Sequence, residues 1–369
     1  MKKILFFIHD MMHGGAEKVL VNLVNNMDKN KYDITVMTIF DVGVNKQFIG
    51  EDIHYKYVFN NVFRGNNAIF KLFKPETLYR HMIKDKYDIV VSYLEDSSTR
   101  IISGCPEKSI KKFAWIHSAQ TKKEFKKAYR SKNEAIECYS KFNKIACVSK
   151  DLKENFMKLS GISKNIEVIY NTNETNKIIE LSKNNVDDII FDKKIINICG
   201  VAKVMPRKGF MRLARVHKRL IEEGYKHHIY VLGEGEEKEK IEKYLKNNNL
   251  SDSFTFIGYK INPYKYVSKC DLFICPSFEE GFSTAVTESI LVGTPVVTTM
   301  CSGMKELLGD NNEYGIIEKN SEEGIYRGLK KVLENPDIIK YYNKKIIERA
   351  KKFSKEETIG SVQNFLETE

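Results

Sequence analysis

Short apolar runs alternate with longer polar or helix-forming stretches through the first half of the chain. Runs of this length are typical of buried strands in a parallel sheet, and the stretches between them have room for helices. The pattern predicts strands at residues 4–8, 34–39, 89–91, 113–116, 145–148 and 168–170. Between the first two, apolar residues recur on one face of a helix that begins near Ala16, so the chain opens with a βαβ unit.

A polar stretch at residues 171–192 interrupts the alternation and predicts a domain boundary. The alternation then restarts, with strands expected at 195–199, 228–232, 254–257, 272–275, 296–298 and 316–317. We interpret the chain as an α/β protein with two doubly wound, Rossmann-like domains, at residues 1–172 and 193–350. In such folds ligands bind beyond the carboxyl ends of the strands, so we expect the site in a cleft between the domains. Residues 351–369 are predicted as a helix that crosses back to the first domain.

Length and charge narrow the class of protein. The chain has 369 residues, 42% of them hydrophobic, which is enough for two cored domains. Its net charge of +11 favours an anionic partner: nucleic acid, an acidic membrane surface or a phosphorylated ligand. Because the basic residues are dispersed and no nucleic-acid-binding module is recognisable, nucleic acid is not expected as a partner.

Cysteine usage and the longest apolar stretches bear on the compartment. Seven cysteines lie in the chain without a CxxC pair, which predicts reduced, buried thiols in a cytoplasmic protein. Neither these cysteines nor the eight histidines cluster at metal-ligand spacing, so no metal site is predicted. No apolar stretch approaches the roughly 18 to 20 residues of a membrane span, so any membrane contact is predicted to be peripheral.

Two glutamates flank a glycine turn and a helix start after the predicted strand at 272–275. Glu280 lies in the loop, and Glu288 lies about one and a half turns into a helix that Ser283 is predicted to cap. Free N–H groups at a helix start attract phosphate, and nearby carboxylates accept hydrogen bonds from sugar hydroxyls. The segment therefore predicts a nucleotide-sugar site. The alternative is that both glutamates are solvated surface charges.

A basic loop follows the first strand of the second domain. Lys203, Arg207 and Lys208 place three cations within six residues, where they can neutralise a diphosphate and stabilise its departure. A solvated basic loop is the alternative. The position of the loop on the same sheet edge as Glu280 and Glu288 favours the functional interpretation.

Other candidate residues follow strands in both domains. His117 follows the strand at 113–116 and is expected either to contact a transferred sugar or to be an ordinary loop residue. Gly14 and Gly15 precede the first helix and allow a ligand to approach the backbone, although their spacing is not that of a dinucleotide fingerprint. Gly233 and Gly235 form a second glycine-rich strand exit, which an ordinary turn would also explain.

Taken in order, these motifs resemble the retaining glycosyltransferases of family GT4, which have the GT-B fold. The resemblance covers essentially the whole chain. It is carried by Gly14-Gly15-Ala16-Glu17, Trp115-Ile116-His117-Ser118, Ile169-Tyr170-Asn171, the 203–209 loop, Gly233-Glu234-Gly235, and the block from Glu280 to Glu288 that continues to Val297.

The resemblance implies a role for each matching residue. Glu280 would contact hydroxyls of the donor sugar, and Glu288 would hold the nucleotide ribose. Lys203, which stands where the family usually has arginine, and Lys208 would bind the diphosphate, and His117 would lie beside the anomeric carbon. The donor site would be completed by backbone at Gly15, Gly281, Phe282, Ser283 and Thr284. No metal or other cofactor is implied.

The implied activity is transfer, with retention, of a sugar from a nucleotide sugar, taken to be a UDP-sugar, to a glycan or lipid-linked acceptor. Surface or capsular polysaccharide biosynthesis is the setting that the resemblance suggests. The alternative is a GT-B chain that has lost activity and serves as a partner subunit. Residues 62–74 and 122–130 mix cations with aromatics and predict peripheral contact with the inner face of an anionic membrane, or else two solvated helix faces.

Overall fold

The computed structural model describes residues 1–12 and 14–367. The chain forms two compact units. The first unit is Met1–Asn173 together with the segment that begins at Glu356, and the second unit is Glu174–Lys355. His13 in the glycine-pair loop and residues 368–369 of the predicted last helix lie outside the described residues.

The first unit is built on a parallel sheet whose strands are joined by helices. Its strands are β1 (Lys2–Ile8), β2 (Tyr32–Phe40), β3 (His54–Phe59), β4 (Ile89–Ser92), β5 (Lys111–Ile116), β6 (Lys144–Cys147) and β7 (Ile166–Val168). Its helices include α1 (Gly15–Asn26), α2 (Asn66–Leu72), α3 (Pro75–Met82), α4 (Ser97–Ile102), α5 (Lys122–Phe125), α6 (Lys132–Ser140) and α7 (Lys150–Ser160). A short 3-10 turn spans Asn45–Phe48.

The strand order of this sheet is β3-β2-β1-β4-β5-β6-β7, and every pairing is parallel. Because β1 is central, Ile4 lies opposite both Ile34 and Ile89 and is fully buried. The order reverses between β1 and β4. In a doubly wound sheet such a switch point opens a crevice at the carboxyl ends of the two strands.

The second unit repeats this plan. Its strands are β8 (Ile196–Val201), β9 (His227–Leu232), β10 (Phe254–Gly258), β11 (Leu272–Cys275), β12 (Val296–Thr299) and β13 (Ile316–Glu318), in the order β10-β9-β8-β11-β12-β13. Its helices are α8 (Thr175–Ser182), α9 (Phe210–Glu222), α10 (Lys238–Asn247), α11 (Tyr264–Val267), α12 (Thr284–Leu291), α13 (Met304–Leu308), α14 (Glu322–Glu334) and α15 (Asp337–Lys351). A 3-10 turn spans Pro206–Lys208. The order reverses between β8 and β11, which is therefore the switch point of this sheet.

The core of the second unit lies between its sheet and the flanking helices. Leu213, Val216 and Leu220 recur at helical spacing on α9 and pack with Val231 and Ile274 of the sheet. This pattern anchors α9 beneath the loops that leave β8 and β11. The helix is thus fixed where it can support those loops.

The last helix, α16 (Lys355–Glu367), belongs with the first unit from Glu356 onward. Phe365 of this helix packs its ring against Phe113 and Trp115 of β5, with ring centroids 5.2 Å away in each case. Tyr32 of β2 donates a hydrogen bond to Glu367. The chain therefore returns to the first sheet after completing the second.

The sequence pattern located most strands to within one or two residues, with three differences. β3 was not predicted. β7 ends at Val168, so the strand expected at 168–170 lies two residues too late. The stretch at 171–192, read as a polar boundary with only short apolar pieces, contains α8, whose Ile178 packs against Tyr264 and Leu291 of the second unit.

Candidate active site

The loops that follow β8 and β11 leave the same edge of the second sheet at its switch point. The first contains Lys203 and Lys208, and the second contains Glu280. The backbone N–H of Phe278 donates to the carbonyl of Arg207 at 2.8 Å and ties the two loops together. Lys208 and Glu280, which are 72 positions apart in the sequence, are thereby held side by side because their strands pair.

Lys208 and Glu280 form an ion pair between these loops. Lys208 Nζ lies 2.7 Å from Glu280 Oε1, and the two side chains are 15% and 10% exposed. Ser277 Oγ donates to the same carboxylate oxygen at 2.6 Å. An ion pair that is largely shielded from solvent and shares a further hydrogen bond has a better-defined geometry than a solvent-exposed ion pair. The interpretation of Glu280 as a solvated surface charge is therefore wrong.

Helix α12 begins directly after this loop. Ser283 is its N-cap, and its side-chain oxygen accepts from the N–H of Val286 at 3.4 Å, which confirms the predicted cap. Gly281, Phe282, Ser283 and Thr284 form the turn into the helix, with Phe282 and Ser283 buried. The positive end of the α12 dipole thus follows closely after Glu280 in the sequence, and Glu280 is one member of the ion pair.

Glu288 lies inside α12 and is only 7% exposed. The hydroxyl of Tyr264 donates to its Oε1 at 3.4 Å. Glu288 is therefore no solvated surface charge either. Its contact with α11 differs from the surroundings of Glu280, so the two carboxylates occupy separate environments.

The sequence interpretation did not include Arg212, whose side chain contacts the loop that carries Glu280. It lies on α9 and is 1% exposed, and it donates Nε to the carbonyl of Pro276 at 2.8 Å and Nη2 to that of Ser277 at 2.6 Å. Its Nη1 donates to Asn320 at 2.8 Å, and its guanidinium lies 3.8 Å from the ring centroid of Phe278. Burial lowers the pKa of Arg212 from its usual value. Arg212 is thus the internal support of the loop that carries Glu280.

The exposed Lys203 is placed by close backbone contact with the glycine-rich exit of β9. A Cβ at Gly233 would lie 1.9 Å from the carbonyl oxygen of Ala202, and one at Gly235 would lie 2.2 Å from that of Val204. Val204 N–H also donates to the carbonyl of Glu234 at 2.9 Å. Both glycines therefore permit the approach of the Lys203 loop, which an ordinary turn would not require.

His117 lies in the first unit, at the carboxyl end of β5. Its ring is hydrogen-bonded to the backbone of Tyr93 and lies 4.8 Å from the Tyr93 ring, and its buried Nε2 has no hydrogen-bond partner among residues 1–12 and 14–367. Burial lowers the pKa of His117 to about 3, so the imidazole is neutral at pH 7. An unpaired buried nitrogen is uncommon in folded proteins and is the kind of group that a ligand can satisfy.

Glu95 fixes the backbone around this histidine. Its carboxylate accepts from the N–H of His117 at 3.0 Å and from the N–H of Ser118 at 2.8 Å. Burial raises the pKa of Glu95 above its usual value. Hydrogen bonds to Glu95 therefore fix the backbone of His117, and Tyr93 fixes its ring, so His117 differs from an ordinary mobile loop residue.

The predicted glycine pair lies at the switch point of the first sheet. Gly15 is the exposed first residue of α1, and Gly14 is its N-cap. A Cβ at Gly14 would lie 1.9 Å from Oε2 of Glu17, so this carboxylate lies against the glycine backbone. The carboxylate of Glu17 therefore occupies the space on the Cβ side of Gly14, and the donor contact expected at Gly15 stays a prediction.

Glu17 belongs to a group of charges that follow β1 and β4. Burial, together with the charges of Asp10 and Asp96, raises the pKa of Glu17 to about 7. His9 Nδ1 lies 2.7 Å from Asp10. Burial lowers the pKa of His9, but the bond to Asp10 and the charges of Asp96 and Glu17 outweigh that effect and raise it.

This arrangement predicts a pH-dependent stability that Glu17→Gln removes. The pKa of Glu17 is about 7 in the folded protein and about 4.5 in the unfolded chain, so between these pH values the folded protein holds a proton that the unfolded chain has lost. The contribution of Glu17 to the free energy of unfolding therefore falls as the pH rises from about 4.5 to about 7. We expect the Tm of the variant to match that of the wild type near pH 4.5 and to exceed it above pH 7. Thermal unfolding of both proteins across this range checks the prediction, and a constant difference would contradict it.

Within residues 1–12 and 14–367, no group of three or more His, Cys, Asp or Glu side chains is arranged to hold a metal ion. In the same described ranges, no helix combines the length and apolar character that crossing a membrane requires.

Solved structures share this architecture. HepE of Anabaena in complex with UDP superposes with a TM-score of 0.79 over 99% of both chains, at 16% sequence identity. WaaG, a glycosyltransferase of lipopolysaccharide biosynthesis, superposes with a TM-score of 0.71 over 99% of this chain and 100% of its own, at 12% identity. The fold is GT-B, with two Rossmann-like parallel-sheet domains, as the sequence predicted.

The two halves of the chain match two glycosyltransferase family models. Residues 13–177 match Glycosyltransferase Family 4, and residues 182–353 match Glycosyl transferases group 1. The chain belongs to this family of glycosyltransferases, which confirms the resemblance seen in the sequence.

Two curated relatives align along most of the chain. The N-acetylgalactosamine-N,N'-diacetylbacillosaminyl-diphospho-undecaprenol 4-alpha-N-acetylgalactosaminyltransferase of Campylobacter jejuni is 28% identical over 96% of both chains. The lipopolysaccharide core biosynthesis glycosyltransferase LpsD of Rhizobium meliloti is 21% identical over 90% of this chain and 88% of its own.

Proposed function

We propose that this protein is a retaining glycosyltransferase that moves a sugar from a UDP-sugar to a lipid-linked glycan during assembly of a surface or capsular polysaccharide. The observation that carries the proposal is the Lys208–Glu280 pair, oriented at the switch point of the second sheet beside the start of α12. A cation, a carboxylate and a helix start in one place suit a diphosphate joined to a polyhydroxylated ring.

The donor is assigned to the second unit. The diphosphate would lie at the start of α12, with Lys203 and Lys208 as its cations, and Glu280 would accept from hydroxyls of the sugar. Glu288 would hold the ribose. UDP is the proposed nucleotide because HepE, which shares the fold, binds UDP in its crystal structure.

The reaction breaks the bond between the anomeric carbon and the diphosphate oxygen, and the electron pair leaves with UDP. An acceptor hydroxyl attacks the same face of the sugar, which gives retention, and its proton passes to the departing phosphate oxygen. Lys203, Lys208 and the α12 dipole stabilise the charge that develops on that oxygen. The neutral His117 is assigned a place beside the anomeric carbon. The proposed reaction uses these groups and no metal or other cofactor.

The acceptor is assigned to the first unit. The Campylobacter jejuni relative acts on an undecaprenol diphosphate-linked sugar, and LpsD acts in lipopolysaccharide core assembly, which supports a lipid-linked glycan. All seven cysteines are buried free thiols, in agreement with a reducing compartment, and we propose a cytoplasmic location.

A screen of nucleotide sugars by thermal shift tests the donor half of the proposal. A donor at one hundred times its Kd stabilises the native state by about 2.7 kcal/mol. We expect UDP and one UDP-sugar to raise Tm, and release of UDP from that sugar to increase when a lipid-linked glycan is added. Failure of every nucleotide to raise Tm would overturn the site assignment. Binding without turnover on any acceptor would favour an inactive partner subunit instead.

A further inference from the structure

The turn that leads into α12, residues 281–284, is held through the side chain of Phe282, and we call it the donor turn. Phe282 is only 6% exposed, although loops mostly lie at the surface. A Cβ at Gly303 would lie 2.8 Å from Cδ2 of Phe282 and 3.3 Å from its Cα, so the start of α13 packs directly against this residue. The donor turn therefore has a helix as its neighbour on one side.

Phe353 is the second neighbour of the donor turn. Its ring centroid lies 5.8 Å from that of Phe282, and the two ring planes are inclined by 56°. Phe353 is fully buried, yet it lies in the connection at residues 352–354 between α15 and α16. Aromatic rings at this separation prefer particular relative orientations. The position of Phe282 thus depends on a residue far along the chain.

Arg349 fixes the end of α15 that precedes Phe353. It lies in the last turn of α15 and donates Nε to the carbonyl of Leu307 at 2.9 Å and Nη2 to the carbonyl of Glu306. Its guanidinium also lies 5.5 Å from the ring centroid of Phe353. Leu307 and Glu306 belong to α13, the helix that begins against Phe282. The contacts therefore form a closed circuit that runs from the donor turn through α15 and α13 and back.

The connection that carries Phe353 is also tied to the place where the chain enters the second unit. The backbone N–H of Lys355 donates to Oγ1 of Thr175 at 3.1 Å, and Lys355 Nζ lies 3.9 Å from Glu174 Oε2. The second unit begins at Glu174 and ends at Lys355, so its first and last residues are in contact. Phe353 thus lies between two fixed points, which are Arg349 and this junction.

We propose that Phe353 is a positioning residue for sugar transfer: through Phe282 it holds the donor turn and the start of α12 in the geometry that stabilises the departing diphosphate. This rests on the proposed function, which places the diphosphate at that helix start. Because Phe353 is fully buried, it acts through its contact with Phe282 and is not a catalytic residue. Misplacement of a reacting group by about 1 Å can cost about 100-fold in rate, so support of this kind affects turnover.

Phe353→Leu tests the proposal, because leucine keeps an apolar side chain but loses the ring. We expect kcat to fall about tenfold and the Kd for UDP to rise about tenfold, with a smaller change in the KM for the UDP-sugar. The reason is that negative charge at the helix start is greatest in the transition state and in UDP. Rates are measured well below the Tm of each variant, and Phe353→Met provides a second variant if Phe353→Leu does not fold.

Phe254→Leu is the matched control. Phe254 is 3% exposed and begins β10, at the amino edge of the sheet and opposite the edge that carries the donor turn. We expect this variant to lose stability to a similar extent while kcat and the Kd for UDP stay unchanged. Equal losses of activity in the two variants would reflect general destabilisation and would overturn the proposal.

A double-mutant cycle shows whether Phe353 acts through Phe282. Phe282→Leu should itself lower kcat, and the addition of Phe353→Leu should then cause little further loss, because the ring contact is already gone. If the two losses in kcat multiply, the two residues act independently and the proposal is wrong.

Hydrogen exchange in the absence of any ligand separates this proposal from the proposed function. Phe353→Leu should speed exchange of the backbone amides of residues 281–286 about tenfold, whereas Phe254→Leu should not. Unchanged exchange in Phe353→Leu would contradict the positioning role. If exchange responds as expected but the wild-type protein neither binds UDP nor releases it from a UDP-sugar, the proposed function is what has failed.

Discussion

Lys208→Ala and Glu280→Ala are each expected to lower kcat for sugar transfer by about 100- to 1000-fold, the loss that follows removal of one group stabilising a developing negative charge. Lys208 would supply that charge stabilisation, and Glu280 orients it through the 2.7 Å contact. Removing either partner also leaves the other half-enclosed and unpaired. Initial rates of UDP release, measured with saturating donor and acceptor, provide the test.

Two controls separate chemistry from folding in this experiment. Lys218→Ala breaks an exposed pair with Glu222 in the same unit and should leave rate and Tm nearly unchanged. The double variant Lys208→Ala with Glu280→Ala removes both charges, so it should recover some stability over the single variants without recovering activity. Near-normal turnover in both single variants would contradict the site assignment.

Arg212→Ala is expected to lower the free energy of unfolding of the second unit by roughly 3 kcal/mol and to abolish nucleotide binding. The substitution leaves buried carbonyls at Pro276 and Ser277 without their donors, and each unsatisfied buried acceptor costs about 1–3 kcal/mol. The loop that carries Glu280 also loses its contact between Arg212 and the Phe278 ring. Urea unfolding gives the stability, and thermal shift with UDP gives the binding.

The matched control for Arg212 lies on the same helix. Arg215 forms an exposed pair with Glu322, so Arg215→Lys should change stability by no more than about 0.5 kcal/mol. Arg212→Lys keeps the charge but cannot reach the same set of carbonyls, and it should still be clearly destabilised. Wild-type stability of Arg212→Lys would show that charge alone, rather than the fork, supports the loop.

The sheet strands were predictable because most are buried on both faces and read as apolar runs. β3 was not predicted because it is an edge strand, which among the described strands pairs with β2 alone, and because residues such as His54 and Lys56 are exposed. Its alternation of aromatic and polar residues was the available signal. Helix α8 was not predicted because few of its side chains, Ile178 among them, are buried, and the polar residues around it resemble a linker.

At the candidate site, sequence order placed Lys208 and Glu280 on one sheet edge, but their ion pair depends on backbone geometry that the sequence does not display. Arg212 was missed because an arginine on an amphipathic helix reads as a surface charge, and only packing shows that it points into the loop. Glu17 was seen as part of a glycine motif. Its pKa is raised by burial first and then by the charges of Asp10 and Asp96, and neither the burial nor the approach of Asp96 can be read from the sequence.

The return of α16 to the first sheet has a consequence for biosynthesis. The ribosome synthesises the chain from its amino end, so β5 is made long before Phe365, which packs on Phe113 and Trp115 of that strand. Until then the nascent first unit lacks part of its apolar cover, and such surfaces recruit chaperones and favour aggregation. Premature termination or a frameshift anywhere in the second unit would therefore damage the first one too.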